Sequence, residues 1–219
     1  MAEDKVDALQ TWLDDLAAAA DEDFEARNEV REAALSQSRR LIKLCSSAIR
    51  SGHREAWDEA DDLLAQADEL GAELQEMLAP YPDLYYAGYT QDALKELVEA
   101  HITLVLISDR PLPPVGAIDV PYPAYLNGVC EAASELRRRC LDLMRRERME
   151  EAEQLLAMMD AVYEVLMTFG YPNAITGGLR RRVDQLRGVL ERTRGDLTNS
   201  YQMQRLLEAL EAFEEQVSS

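Results

Sequence analysis

Apolar residues recur every three or four positions along most of this chain, which is the spacing of amphipathic helices. No segment shows the sustained alternation of polar and apolar residues, rich in β-branched side chains, that is typical of strands. The pattern therefore predicts an all-α protein. The predicted helices span residues 4–20, 23–51, 54–78, 90–108, 122–146, 149–169, 176–195 and 200–217.

Proline and glycine residues separate most of these helices, because proline cannot continue a helix and glycine weakens one. No break is long enough to serve as a flexible linker between domains. We therefore predict a single domain over residues 1–219, with seven or eight mostly long helices. Helices longer than about 25 residues usually run in bundles or across subunit boundaries, so we expect an oligomer. The breaks lie at Gly52, 80–82, 111–116, 171–173 and 177–178.

The formal net charge is −19, from 42 acidic and 23 basic residues. Charge alone speaks against nucleic acid, since affinity for a polyanion comes mainly from Lys and Arg. The basic residues, however, are almost all arginine, the side chain suited to bidentate phosphate contacts; the lysines are Lys5, Lys43 and Lys95. Where the arginines lie therefore matters more than the net charge.

The chain opens without the basic and apolar segments of a signal peptide, and no apolar run is long enough to span a bilayer. We expect a cytoplasmic protein with no membrane partner. Cys45, Cys130 and Cys140 lack CxxC spacing, which argues against a disulfide framework and a zinc site. We interpret them as buried or inert thiols.

The sequence has no GxGxxG, GxxxxGK[ST], GxSxG or HExxH motif, so the enzyme classes that these motifs mark lose their support. His53 and His101 are isolated in the sequence, and we assign neither a catalytic role.

Two pairs of acidic residues have helical spacing. Glu96 and Glu99 are three residues apart, and Glu131 and Glu135 are four apart, so each pair shares a helix face. By spacing alone they are either solvated charged faces or, if the two helices pack face to face, a site for Mg²⁺ or Mn²⁺, which prefer oxygen ligands.

Arginine clusters form a basic half within the acidic chain. Residues 137–139 and 180–182 are each three consecutive arginines, and Arg39 and Arg54 belong to a weaker, earlier group. These clusters either bind phosphate or form salt bridges with the many acids nearby.

Residues 88–100 and 125–138 resemble the two conserved segments of the translin/Trax family. The first has two glutamates three apart followed by alanine, and the second opens as Tyr-Leu-Asn-Gly-Val before its acids. Supporting similarities lie at residues 31–32, 38–39, 49–54 and 171–184, so the resemblance covers most of the chain from about residue 27 to 196.

The resemblance implies a translin-like helical bundle, an octameric barrel and, for the Trax-like branch, a Mg²⁺-dependent endoribonuclease acting on single-stranded RNA. Single-stranded DNA is a further expected ligand. It implies Glu96, Glu99, Glu131 and Glu135 as catalytic and metal-binding residues, although Trax has aspartate where this chain has Glu131. The expected nucleic-acid-binding residues are Arg39, Arg54, Arg137, Arg138, Arg180, Arg181 and Arg182.

Two other functions stay open at this stage. One is a module of the same fold that binds single-stranded RNA or DNA without cutting it, with Glu131 spoiling the site. The other is a helical scaffold that binds proteins through its acidic surface.

Overall fold

The computed structural model describes residues 2–108 and 110–218. Throughout these residues the regular secondary structure is helical, which confirms the all-α prediction. Eight helices lie in this part of the chain: α1 Ala2–His53, α2 Trp57–Leu78, α3 Pro82–Tyr85, α4 Gly88–Leu106, α5 Tyr122–Met144, α6 Met149–Leu166, α7 Asn173–Thr176 and α8 Leu179–Ser218.

Two of the predicted helix breaks are wrong. The predicted helices 4–20 and 23–51 are one continuous helix, α1, and the last two predicted helices together form α8. Asp21 and Glu22 do not break α1, because acidic residues lack proline's conflict with helical geometry. Gly195 weakens α8 without ending it. The short helix α3 and most of α7 lie between the predicted helices; α3 begins at Pro82, and α7 begins directly after Pro172.

Helices α4 and α5 lie at the centre of the bundle. On one side α4 packs against α1 and α2, where Leu41, Leu74 and Leu97 are buried. On the other side α5 packs against α6 and α8, where Leu136 and Leu186 are buried. The contact between α4 and α5 therefore joins the two halves of the apolar core.

Gly128 allows α4 and α5 to approach closely. A Cβ atom at this position would lie 2.6 Å from the backbone oxygen of Lys95 and 2.7 Å from the Cβ of Val98. These distances are shorter than real Cβ contacts, so any larger residue must push the helices apart. The close approach brings the helical turn after Gly128, which carries Glu131, alongside α4.

The three cysteines are free and buried, in agreement with their interpretation as inert thiols. Burial raises the pKa of the Cys140 thiol to about 11, and it also raises the pKa of Cys45 and Cys130. Because the thiolate is the nucleophilic form, none of these buried thiols is poised for nucleophilic chemistry near neutral pH.

Helices α1 and α8 extend beyond the packed bundle. We call residues 4–26 the N-terminal arm and residues 203–217 the C-terminal arm; nearly all side chains of both are exposed. The first fully buried residue of α1 is Ala34, and the last of α8 is Leu197. No described helix is both long and apolar enough to cross a membrane.

We expect Gly128→Ala to lower the free energy of unfolding by about 1–3 kcal/mol, the usual cost of overpacking a core. The added methyl group would meet backbone of α4, which cannot rotate away as a side chain can. Gly195→Ala is the matched control, since a Cβ there meets nothing within 4 Å. Alanine's better helix propensity should stabilise that variant by up to about 1 kcal/mol. Urea unfolding of both variants checks this, and equal stability of the two would contradict a close contact at Gly128.

Candidate metal centre

Three glutamates from α4 and α5 converge. Glu96 and Glu99 lie on α4, Glu131 lies on α5, and each is half-buried. One carboxylate oxygen from each lies within 4.8 Å of the other two. The i, i+3 spacing puts Glu96 and Glu99 on one helix face. The close approach at Gly128 brings Glu131 to them, so one member of the second sequence pair joins the first pair, whereas the hypothesis had all four carboxylates converge.

Two basic side chains of the protein itself contact this group. Lys95 Nζ donates to Glu96 Oε1 at 3.0 Å and to Glu131 Oε2, and its side chain is only 9% exposed. Arg182 Nε donates to Glu131 Oε1 at 2.6 Å. The negative charge of the cluster is therefore partly balanced without any added cation.

Lys95 was missed by the sequence analysis. Its position next to Glu96 suggests an exposed lysine beside an exposed glutamate. The helical pattern does not show that the Lys95 ammonium points toward the carboxylates. One signal was available, since Lys95 is one of only three lysines in a chain of 219 residues and stands within the acidic segment of α4.

The carboxyl groups of Glu99 and Glu131 have shifted pKa values of opposite sign. Burial, followed by the charges of Glu96 and Glu131, raises the pKa of Glu99 to about 8. Burial also acts to raise the pKa of Glu131, but the hydrogen bonds from Lys95 and Arg182 outweigh it and hold that pKa below its ordinary value. Near neutral pH and without a metal ion, Glu131 is therefore ionised and Glu99 is mostly protonated.

Glu135 lies one turn beyond Glu131 on α5 and outside the three-oxygen group. Its Oε1 hydrogen-bonds to His53 Nε2 at 2.9 Å, and the His53 side chain is 1% exposed. The charge of Glu135 contributes to the raised pKa of Glu99, so it faces the same site. The structure thus brings three of the four predicted glutamates together and connects the fourth to a histidine for which the sequence gave no role.

Several of the expected RNA-binding arginines are engaged within the protein. Arg137 bonds to Asp196 at 2.7 Å and to Thr193 at 3.1 Å, and Arg54 bonds to Glu59 at 3.0 Å. Arg54, Arg137 and Arg182 thus form salt bridges within the protein, which was the alternative to phosphate binding. Four others are exposed and form no ion pair within the described part of the chain: Arg39, Arg138, Arg180 and Arg181.

A cavity of about 540 Å³ lies beside the carboxylates. Lys95 and Arg182 form part of its wall, so both cations that contact Glu131 also reach this space. Tyr86, Gln91 and Asn127 add aromatic and polar surface. The cavity therefore offers cationic, polar and aromatic contacts next to the carboxylates.

We predict that Glu99 makes stability depend on pH. Folding raises its pKa from the ordinary 4.5 to about 8. At pH values between these two, the carboxyl group keeps its proton in the folded chain and has released it in the unfolded chain. The free energy of unfolding should therefore fall as pH rises through this window, by at most about 1.4 kcal/mol per pH unit. Glu99→Gln should lack this contribution.

Urea unfolding in EDTA between about pH 5 and 8 measures the effect as the difference between parent and variant. Glu73→Gln, at an exposed position of α2, is the matched control and should follow the parent curve. Parallel curves for the parent and Glu99→Gln would contradict the raised pKa.

No family model matches this chain. Over 187 residues it is 30% identical to an uncharacterised protein of Methanocaldococcus jannaschii, which covers 84% of this chain and 82% of that protein. The structure of AfC3PO in complex with duplex RNA matches with a TM-score of 0.77 and 32% identity, over 84% of this chain and 95% of that one. Apo-NeC3PO matches with a TM-score of 0.73 over 82% of this chain and 94% of its own; at 24% identity it supports the fold alone. Together with the two conserved segments on α4 and α5, these similarities show that the chain belongs to the translin family.

Proposed function

We propose that this protein binds RNA and cleaves it with Mg²⁺ or Mn²⁺ held by Glu96, Glu99 and Glu131. The observation that carries the proposal is the convergence of these three carboxylates from two helices within 4.8 Å. RNA as the ligand is supported by the similarity to AfC3PO, whose structure contains duplex RNA. The substrate class is therefore RNA: single strands follow from the resemblance to Trax, and the AfC3PO complex adds duplexes.

The donor set suits a hard divalent cation, because carboxylate oxygens are the ligands that Mg²⁺ and Mn²⁺ prefer. A divalent cation there would supply the Lewis acidity that phosphodiester hydrolysis needs. Glu135 is the fourth proposed carboxylate of the site. Its hydrogen bond to the buried His53 holds it on the side of α5 that faces the other three.

Lys95 and Arg182 are proposed to bind phosphate. Both line the cavity beside the carboxylates, where they can contact a phosphate group as well as Glu131. Hydrogen bonds to Glu131 and Glu96 outweigh burial and raise the pKa of Lys95, so it stays an ammonium and cannot act as a base at neutral pH. A nucleotide in the cavity would lie next to both cations.

The exposed arginines extend the proposed RNA surface. Arg138 lies three residues after Glu135 and seven after Glu131, which places it on the same face of α5. Arg180 and Arg181 immediately precede Arg182, which contacts the cluster. These local positive charges can attract RNA in an acidic protein, because at about 0.15 M salt the repulsion from distant acidic residues is screened over roughly 8 Å.

We also propose that the protein forms a homo-oligomer, which the resemblance to the translin/Trax family implies is an octamer. Single-stranded DNA is proposed as a further ligand.

We predict cleavage of labelled single-stranded RNA in Mg²⁺ or Mn²⁺ and none in EDTA, with a duplex assayed in parallel. Glu96→Gln, Glu99→Gln and Glu131→Gln should each lower the rate at least about tenfold, since an amide keeps the shape but loses the charge that holds the cation. RNA binding in EDTA, measured by fluorescence anisotropy, should stay the same or strengthen for Glu96→Gln and Glu131→Gln, because a charge that repels phosphate is removed. It should stay the same for Glu99→Gln, whose carboxyl group is mostly protonated without a metal ion.

Glu73→Gln, on the exposed surface of α2, is the matched control and should cleave at the parent rate. The nuclease proposal fails if highly pure protein cuts neither the single-stranded nor the duplex RNA with either metal. It also fails if a variant that carries all three Glu→Gln substitutions cuts as fast as the parent.

A second candidate function is RNA binding without cleavage, and the contacts of Glu131 favour it. Both of its oxygens are already bonded to cations of the protein, one to Lys95 and the other to Arg182. Glu131 is also one methylene longer than the aspartate that the resemblance leads one to expect. A metal ion must compete with Lys95 for Glu131 and Glu96, so weak metal binding would leave a site that holds RNA and does not cut it.

We predict that Lys95→Met raises the affinity for Mn²⁺ at least about tenfold, equivalent to ~1.4 kcal/mol. Removing the ammonium frees one oxygen each of Glu96 and Glu131 and leaves negative charge that a metal ion can balance. Calorimetric titration with Mn²⁺ measures the effect, and Lys43→Met at an exposed position of α1 is the control. Unchanged or weaker Mn²⁺ binding would contradict the competition. Cleavage by Lys95→Met where the parent has none would favour the second function.

A further inference from the structure

The N-terminal arm carries an exposed apolar stripe. Val6, Leu9, Leu13 and Leu16 are separated alternately by three and four residues and are 42–64% exposed. This is the heptad spacing by which helices pack along a shared seam. Ala20 continues the spacing and Asp23 ends it, while Trp12, at the edge of the stripe, is 59% exposed.

The C-terminal arm carries a stripe of the same kind. Its members alternate by three and four residues and are 50–70% exposed: Met203, Leu206, Leu210, Phe213 and Val217. Leu207 lies beside them and is 52% exposed. Both stripes thus have five positions in heptad spacing, counting Ala20.

The acidic residues of the arms lie mostly away from the stripes. In heptad terms, the acids of the N-terminal arm that fall on outward positions include Asp7, Asp14, Asp15, Asp21 and Glu22, and those of the C-terminal arm include Glu208 and Glu211. The positions that flank the seam of the N-terminal arm are uncharged over most of its length, among them Gln10, Trp12, Ala17 and Ala19. Two arms can therefore pack together without placing most of their acids at the contact.

The arms leave opposite ends of the bundle. At the base of the N-terminal arm, Arg27 forms an ion pair with Asp83 of α3 at 2.5 Å. The other end of α1 reaches the second half of α5, where His53 contacts Glu135. The base of the C-terminal arm lies close to that end, since Ser200 contacts Met144, the last residue of α5. The two stripes of one copy therefore lie beyond opposite ends of the bundle and cannot pair within the chain.

We propose that the N-terminal arm of one copy packs along the C-terminal arm of a second copy. A single repeated contact of this kind covers both stripes, whereas pairing of like arms needs two different interfaces. Half-exposed large side chains offer on the order of 100 Å² each, so the eleven on two paired arms would bury roughly 1,100 Å², close to the lower limit of a stable interface. Each stripe alone offers roughly 500–600 Å², at the upper end of the largest apolar patch on a typical monomer, and such a patch is often an interaction site.

The arms also fit the length comparison. AfC3PO is matched over 95% of its own chain, yet about a sixth of this chain lies outside the match. This protein therefore carries length that the matched structure lacks. A head-to-tail contact between unlike arms closes into a ring if the rotation between copies permits.

Two charge substitutions test the contact in the full chain. Leu13→Asp disrupts the N-terminal stripe, and Leu210→Asp disrupts the C-terminal stripe. Multi-angle light scattering should show a smaller mass than the parent for each variant alone. Mixing the two should restore one intact contact, because the Leu13→Asp chain has a sound C-terminal arm and the Leu210→Asp chain has a sound N-terminal arm. The mixture should therefore give a larger species containing both chains in equal amounts.

Ala18→Asp and Ala212→Asp are the matched controls, since each adds the same charge on the outward face of an arm; both should keep the parent mass. Circular dichroism should show that all variants keep their helical content. Three outcomes overturn the proposal: parent mass for both stripe variants, dissociation of only one of them, or no gain of mass on mixing. None of these substitutions touches the carboxylate site, so the result does not depend on the proposed RNA function.

Discussion

The close contact between α4 and α5 at Gly128 is the constraint on which the rest of the structure depends. It joins the two halves of the apolar core, and it brings Glu131 to Glu96 and Glu99. A larger residue at position 128 would separate the helices and with them the carboxylates. Stability and chemistry therefore rest on the same contact, because the residues that set the helix distance lie one turn from those that form the site.

Converging carboxylates must be balanced by positive charge, and this protein supplies part of it. Lys95 and Arg182 hold Glu131 ionised, whereas Glu99 has no direct bond to a cation among the residues that the structure describes, and its pKa is raised by burial and by its acidic neighbours. The site thus combines fixed cations with a carboxyl group that readily keeps its proton. In the functions proposed above, how far a metal ion displaces this internal balance would decide between cleaving RNA and only binding it.

The carboxylate site and the exposed apolar stripes lie in different parts of the chain. The bundle holds the carboxylates, the cavity and several exposed arginines, while the apolar arms extend beyond it at either end. Acidic residues on the outward faces keep the arms hydrated without entering their apolar stripes. If copies pair through the arms as proposed, assembly and chemistry can change independently, since no residue of either arm belongs to the carboxylate site.

The sequence by itself determined the helical class, most helix boundaries and the identity of the acidic residues, because amphipathic spacing and prolines are local signals. It could not show that helices α1 and α8 are continuous, since the residues at the two expected breaks do not show whether the helix is interrupted there. It could not decide between solvated acidic faces and a converging cluster, because that depends on how closely α4 and α5 pack. Only the tertiary structure turned Lys95 and His53 toward the glutamates and paired Arg137 with Asp196. Those contacts join residues 36 to 82 positions apart, and no local pattern encodes them.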